Sequence, residues 1–125
     1  MVRGIGIDLV AVARIERMLA RHGPRALDRL LTEGERAYCL QMAVPARHVA
    51  ARVAAKEAVY KALQGSEDAR GIGWREIEVV RDPDGRPGVR LSGSAARRLV
   101  ALEAAGVLLS LTHTDELAAA IALIA

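Results

Sequence analysis

Arg52-Val53-Ala54-Ala55-Lys56-Glu57-Ala58-Val59-Tyr60-Lys61-Ala62-Leu63 is the stretch on which the fold turns. It is rich in Ala, holds neither Gly nor Pro, and runs unbroken to Gly65, so it reads as a helix. Glu57 and Lys61 are four apart and stack on one face, beside the small residues Ala50, Val53 and Ala54. Taken alone, the pair is a surface contact worth about 0.3–0.5 kcal/mol. A carboxylate and an ammonium among small side chains can also be approached closely by another chain or a ligand, and the rest of the chain decides between these readings.

Upstream, Val44-Pro45 marks a loop, and the helix starts near Arg47, carrying Arg47, Arg52 and Lys56. Gly4-Ile5-Gly6-Ile7-Asp8-Leu9-Val10 alternates at Ile5, Ile7 and Leu9, which predicts a strand with Asp8 on the opposite face. Asp8 is either a solvent-facing strand-end residue or a ligand at the mouth of a sheet. From Ala11 to Arg21, Val12, Ile15 and Leu19 recur at helical spacing. Arg14, Arg17 and Arg21 share the other face with Met18, and Gly23-Pro24 ends the helix. A Met within a basic stripe suits an acidic partner with an apolar centre. A short helix follows over Ala26–Leu31, and Thr32 with Glu35 has the spacing of a capping box for a helix to Met42.

Downstream, Gly65 to Gly73 reads as a loop, and Asp82-Pro83-Asp84-Gly85 is a turn inside a hairpin over 74–92. Ser94 is placed to cap a helix running to Ala105 before Gly106. Val107–Thr112 is a strand, and the short link His113-Thr114-Asp115-Glu116 favours a second strand over Leu117–Ile124. The sum is α+β: one domain over 1–125, with an antiparallel sheet and a long central helix.

The chain has 125 residues, 52% of them hydrophobic, and contains no Phe, one Trp and two Tyr. Its core must therefore be built from Ala, Val, Leu and Ile. The net charge of +3 suits an anionic partner, but the arginines are spread out rather than blocked together. Cys39 is the single cysteine, which fits a reducing, cytoplasmic compartment. Asp8, Arg14, Glu16 and Arg17 interrupt any signal-peptide core, and the apolar run Leu117–Ala125 is too short to span a bilayer. No membrane or nucleic acid is expected as partner: the chain lacks sheet aromatics, a GXXG loop and a Lys/Arg cluster.

Phosphate chemistry needs a divalent cation, a cationic side chain on the phosphate and room for a nucleophile. Mg²⁺ takes one or two carboxylates and keeps its other positions for water and phosphate oxygens. Asp8 and Glu57 can supply those carboxylates if the first strand packs beside the central helix, and Lys61 can then reach a phosphate oxygen. His113, at a strand end, is either a phosphate donor or proton carrier, or simply a loop histidine.

Gly4-Ile5-Gly6-Ile7-Asp8 with Ala13-Arg14-Ile15, then Arg52 to Ala58 with Lys61-Ala62, then Leu109-Ser110-Leu111-Thr112-His113 together resemble the holo-[acyl-carrier-protein] synthase family of 4′-phosphopantetheinyl transferases. The likeness extends over the whole chain. Two positions depart from the family pattern: Val53, where an aromatic is usual, and Thr112, where Ser commonly precedes the histidine. The resemblance implies transfer of phosphopantetheine from coenzyme A to a serine of apo acyl carrier protein, in fatty acid biosynthesis. It implies Asp8 and Glu57 as Mg²⁺ ligands and Lys61 and His113 on coenzyme A phosphates. Arg47 and Arg52 are then placed around the nucleotide, and Arg14 contacts the carrier protein, with Arg17, Met18 and Arg21 on the same stripe. It also implies a homotrimer with sites between subunits, and it leaves open whether Glu57 or a metal-bound water takes the serine proton.

Overall fold

The long helix α4 (Pro45–Leu63) lies at the centre of the molecule. A computed structural model describes residues 1–125. Ala50, Ala54, Ala55, Ala58 and Val59 are all fully buried, so α4 meets protein on almost every side. Such a helix carries no single apolar stripe, and its small side chains let neighbours come close. The alanines that the sequence offers as an open approach face, Ala50 and Ala54, are core.

Against one side of α4 packs a three-stranded antiparallel sheet in the order β1 (Gly4–Ala11), β5 (Leu117–Ile124), β4 (Val107–His113). β5 alternates strictly: Ala118, Ala120, Ala122 and Ile124 are buried toward α4, while Leu117 and Ile121 face out. β1 alternates too, but its inward set is Gly6, Asp8 and Val10. Ile5, Ile7 and Leu9 lie outside, at 63%, 66% and 62% exposure.

The other sides of α4 are covered by α1 (Val12–His22), α3 (Glu33–Leu40) and strand β2 (Ile77–Arg81) of a hairpin with β3 (Pro87–Leu91), while α2 (Pro24–Leu30) packs on α1 and α3. The capping box forms as the sequence predicts: Thr32 N–H donates to Glu35 Oε1 at 2.9 Å, and Glu35 N–H to Thr32 Oγ1 at 3.3 Å. Helix α5 (Gly93–Ala101) differs from expectation at both ends. Its N-cap position is Ser92, with Ser94 inside the first turn, and it stops four residues before Ala105. Glu76 does the capping from outside, accepting from Ala95 N–H at 3.2 Å. Burial pushes the Glu76 carboxyl up, but the N–H groups of Gly73, Ala95 and Ser94 outweigh it and hold the group below the usual carboxylate range.

A buried ion pair fastens the hairpin to α4. Lys56 Nζ lies 2.7 Å from Glu35 Oε1, and both side chains are fully buried. The same ammonium donates to the carbonyls of Trp74 at 2.9 Å and Ile77 at 2.6 Å, while Glu35 Oε2 accepts from Val79 N–H at 2.8 Å. Burial pushes the Lys56 ammonium below the usual lysine range, and Glu35 offsets this in part.

Candidate active site

Two glycines bring the first strand onto the helix. A methyl group at Gly6 would collide with the Ala58 carbonyl, and one at Gly4 with the Ala62 carbonyl. β1 therefore touches the backbone of α4, and Asp8 arrives beside Glu57 and Lys61, one residue before each of those alanines. Lys61 Nζ lies 3.0 Å from Asp8 Oδ1 and donates to the Ile7 carbonyl at 3.0 Å. The structure thus joins three residues that spacing alone could not.

The environment of the pair is unusual. Asp8 is not the solvent-facing strand residue: its side chain is only 10% exposed, and its buried Oδ2 has no hydrogen-bond partner. Partial burial pushes the Glu57 carboxyl up, and the adjacent Asp8 carboxyl pushes it further, against the pull of Arg14 and Lys61. Arg14 links this site to the stripe on α1, where Arg14, Arg17, Met18, Arg21 and His22 line a shallow hollow. Met18 is half-buried and packs on the core, so the hollow has an apolar floor and a basic rim.

Arg47, Arg52 and His113 gather elsewhere. His113 is two strands from β1, and the register puts it level with Val10, about 12 Å from the Asp8 position at ordinary sheet spacings. Its ring centroid is 6.4 Å from that of His48, which lies nine positions before Glu57, about 13 Å along α4. Tyr38 anchors this second cluster, with the Arg52 guanidinium 4.1 Å and that of Arg81 5.3 Å from its ring centroid. Arg52 is almost wholly buried, and its Nε lacks a partner. Arg47 pairs with Asp115 at 3.5 Å. Burial lowers the His48 imidazole, and Arg52, His113, Arg81 and Arg47 add to that effect, so the cluster is a cationic basin. One chain therefore holds two separate clusters of polar and charged side chains.

A cavity of about 440 Å³ opens next to Glu57 and Lys61, walled by Tyr60, Ile72, Trp74 and Ile77 with Arg70 and Lys56. Sequence reasoning missed this wall, together with Tyr38, His48 and Arg81. Lone aromatics and histidines carry no motif, and these approach one another only through tertiary packing. The one available signal was the apolar pair Ile72 and Trp74 on either side of Gly73, where the segment read as loop meets the hairpin.

The sequence model of the 4′-phosphopantetheinyl transferase superfamily matches residues 4–122, spanning both clusters. The chain belongs to this superfamily. It is 50% identical over 106 residues to a holo-[acyl-carrier-protein] synthase of Methylobacterium radiotolerans, covering 85% of this chain and 77% of that one. Its fold is similar to the crystal structure of holo-[acyl-carrier-protein] synthase from Neisseria meningitidis, with a TM-score of 0.88 at 28% identity over 100% of this chain and 99% of that one. The Helicobacter pylori synthase, solved in complex with coenzyme A, superposes with a TM-score of 0.81 at 27% identity, covering 97% and 99% of the two chains.

Proposed function

We propose that this protein transfers the 4′-phosphopantetheine group of coenzyme A to a serine of apo acyl carrier protein, and that the reaction serves fatty acid biosynthesis. The observation that carries this reading is the Asp8–Glu57–Lys61 set, held on a strand and helix pressed together through Gly4 and Gly6, in a chain similar to synthases over most of its length. Incubation with apo carrier protein, coenzyme A and Mg²⁺ should add the mass of one phosphopantetheine to the carrier, and EDTA should stop it. No mass gain with several bacterial carrier proteins would sink the reading.

The residues fit a magnesium ion. Adjacent carboxyls that repel, one with an orphaned buried oxygen, form the donor set that a hard divalent cation satisfies. Asp8 and Glu57 would hold it, and when bound it supplies positive charge to the pyrophosphate. The protein's own groups do the rest. Glu57 accepts the proton of the carrier serine as that oxygen attacks the phosphorus bearing the pantetheine arm. The bond from that phosphorus to the bridging oxygen breaks, and its electron pair leaves on adenosine 3′,5′-bisphosphate. Lys61, already oriented by the Ile7 carbonyl, turns from Asp8 to the leaving phosphate. The basin of Arg47, Arg52 and His113 binds the nucleotide phosphates.

The outer face of the sheet supports an assembly. Ile5 lies level with Leu123 and Leu108, and Ile7 with Ile121, making a contiguous apolar face of a kind monomers rarely expose. A homotrimer covers this face and lets the Asp8 site of one copy meet the basin of the next. Ile7→Glu should give a folded monomer in sedimentation that has lost at least nine-tenths of its transfer activity. A fully active monomer would rule out shared sites. No helix is long and apolar enough to cross a membrane. Cys39 is buried, its thiol pushed up to about 11 chiefly by burial, and as the single cysteine it forms no disulfide within the chain, in keeping with a cytoplasmic location.

The hollow on α1 is the carrier-protein contact. Arg14, Arg17 and Arg21 present positive charge around Met18, a match for an acidic helix with an apolar centre. Arg17→Glu with Arg21→Glu should raise the KM for carrier protein about tenfold or more while moving that for coenzyme A little, because neither bears on Glu57 as Arg14 does. Wild-type transfer at low carrier concentration should fall with added salt, and the double variant should respond much less. Equal salt responses in the two proteins would leave the stripe a solvated face.

A further inference from the structure

Arg52 is a buried cation without a carboxylate to pair with. It is 3% exposed, its Nε has no hydrogen-bond partner, and no acidic side chain lies within ion-pair distance of it or of Arg81. The nearby Asp115 pairs with Arg47 and is 86% exposed. A guanidinium desolvated in this way is costly, and an anion offsets that cost.

His48 stands beside the place such an anion takes. It precedes Arg52 by one helical turn, on the same face of α4. From β4 the His113 ring comes within 6.4 Å of it between centroids, and from α3 the Tyr38 ring meets it edge-on at 5.9 Å. An anion that touches both Arg52 and His113 therefore has His48 next to it. The charged groups that face His48 are Arg47 and Arg52 from α4, Arg81 from β2 and His113 from β4, with Tyr38 of α3 as a further titratable neighbour. Burial first, and then Arg52, His113, Arg81 and Arg47, hold the half-buried imidazole below the usual histidine range.

We infer that His48 is a further nucleotide-binding side chain, one that takes a proton from solution as a phosphate group settles on Arg52 and His113. This inference rests on the transfer reading above, which puts the nucleotide phosphates in the basin. A phosphate dianion offsets the surrounding cations, and the charged imidazole gains a charge-assisted hydrogen bond to it. The proton adds to the ring, and no bond to phosphorus forms or breaks. Because the bound state then holds more protons on His48 than the free one, nucleotide affinity rises as pH falls through the histidine range and declines as pH rises through it.

Calorimetric titration with adenosine 3′,5′-bisphosphate, in two buffers of different ionisation enthalpy, counts the protons exchanged on binding. The wild type, His48→Gln and His48→Phe are compared at the same pH, so protons exchanged by the nucleotide phosphates themselves cancel. In the titration range of histidine the wild type should take up about half a proton more than either variant. From about pH 8 to about pH 6.5 its affinity should rise about threefold more than theirs. Phenylalanine keeps a ring against Tyr38 and carries no proton, so a glutamine variant weakened by lost packing is told apart from one that has lost the charge. Equal proton uptake in all three proteins overturns the role of His48 and leaves the transfer reading standing, whether or not the variants bind more weakly. A wild type that does not bind the bisphosphate overturns the inference and strikes at the transfer reading as well.

Discussion

Glu57→Gln should lose carrier loading by about a thousandfold, the scale of removing a key charged group from a transition state, and should melt at a higher temperature than the parent in EDTA. The amide keeps the shape of the side chain but cannot take the serine proton. The stability gain comes from the neighbouring carboxyl. Burial and Asp8 both raise Glu57 above its unfolded affinity for protons. A group raised in this way favours the fold only below its unfolded pKa and loses that contribution as pH rises through its folded one. At neutral pH the charged Glu57 therefore opposes folding, and the amide removes that opposition, as at other sites where stability is traded for function. The advantage of the variant should shrink as pH falls into the carboxylate range. A lower melting temperature at neutral pH, or an advantage independent of pH, would contradict the like-charge account, and near-normal loading would dismiss Glu57 as the base.

Lys56→Met and Glu35→Met should each destabilise the protein by about 3–5 kcal/mol, because each leaves its partner's charge buried and uncompensated. For a domain of this size that is a fall of roughly 10–20 °C in melting temperature. Some buried ion pairs can be exchanged for apolar residues at no loss, and this one should resist it. Lys56 serves the Trp74 and Ile77 carbonyls, and Glu35 serves the Thr32 and Val79 N–H groups. The double methionine variant leaves those backbone groups without partners, at about 1–3 kcal/mol each where they stay dry. It should thus remain several kcal/mol below the wild type. A double variant melting within a few degrees of the parent would reduce the network to a simple charge pair.

Much of the architecture could be read locally. The stripe Val12, Ile15, Leu19, the capping box at Thr32 and the turn at Asp82 each specify their element through neighbours within a few residues. Alternation in β1 showed two faces without saying which one is inward. The glycines decide it, because only Gly4 and Gly6 permit contact with the α4 backbone, and Asp8 follows them into the interior. Lys56 was not legible as a core residue, since its partner Glu35 lies on another helix and no spacing links them. Ser94 misled because a serine two residues earlier holds the cap position, while the carboxylate that serves the helix end comes from Glu76. Of the site, Asp8, Glu57 and Lys61 come together within one chain, and the resemblance had named all three. The distance from them to Arg47, Arg52 and His113 is a tertiary fact that no linear pattern carries.

Trp74, in the wall of the cavity, is the only tryptophan of a chain that has no phenylalanine. The two tyrosines lie apart, Tyr60 in that wall and Tyr38 under the arginines of the basin. The protein consequently carries its own optical reporter. Indole emission excited at the red edge of the absorption band, where tyrosine is silent, responds to whatever displaces water from the cavity. Occupation of the cavity beside Glu57 and Lys61 can thus be titrated on unlabelled, unmodified protein.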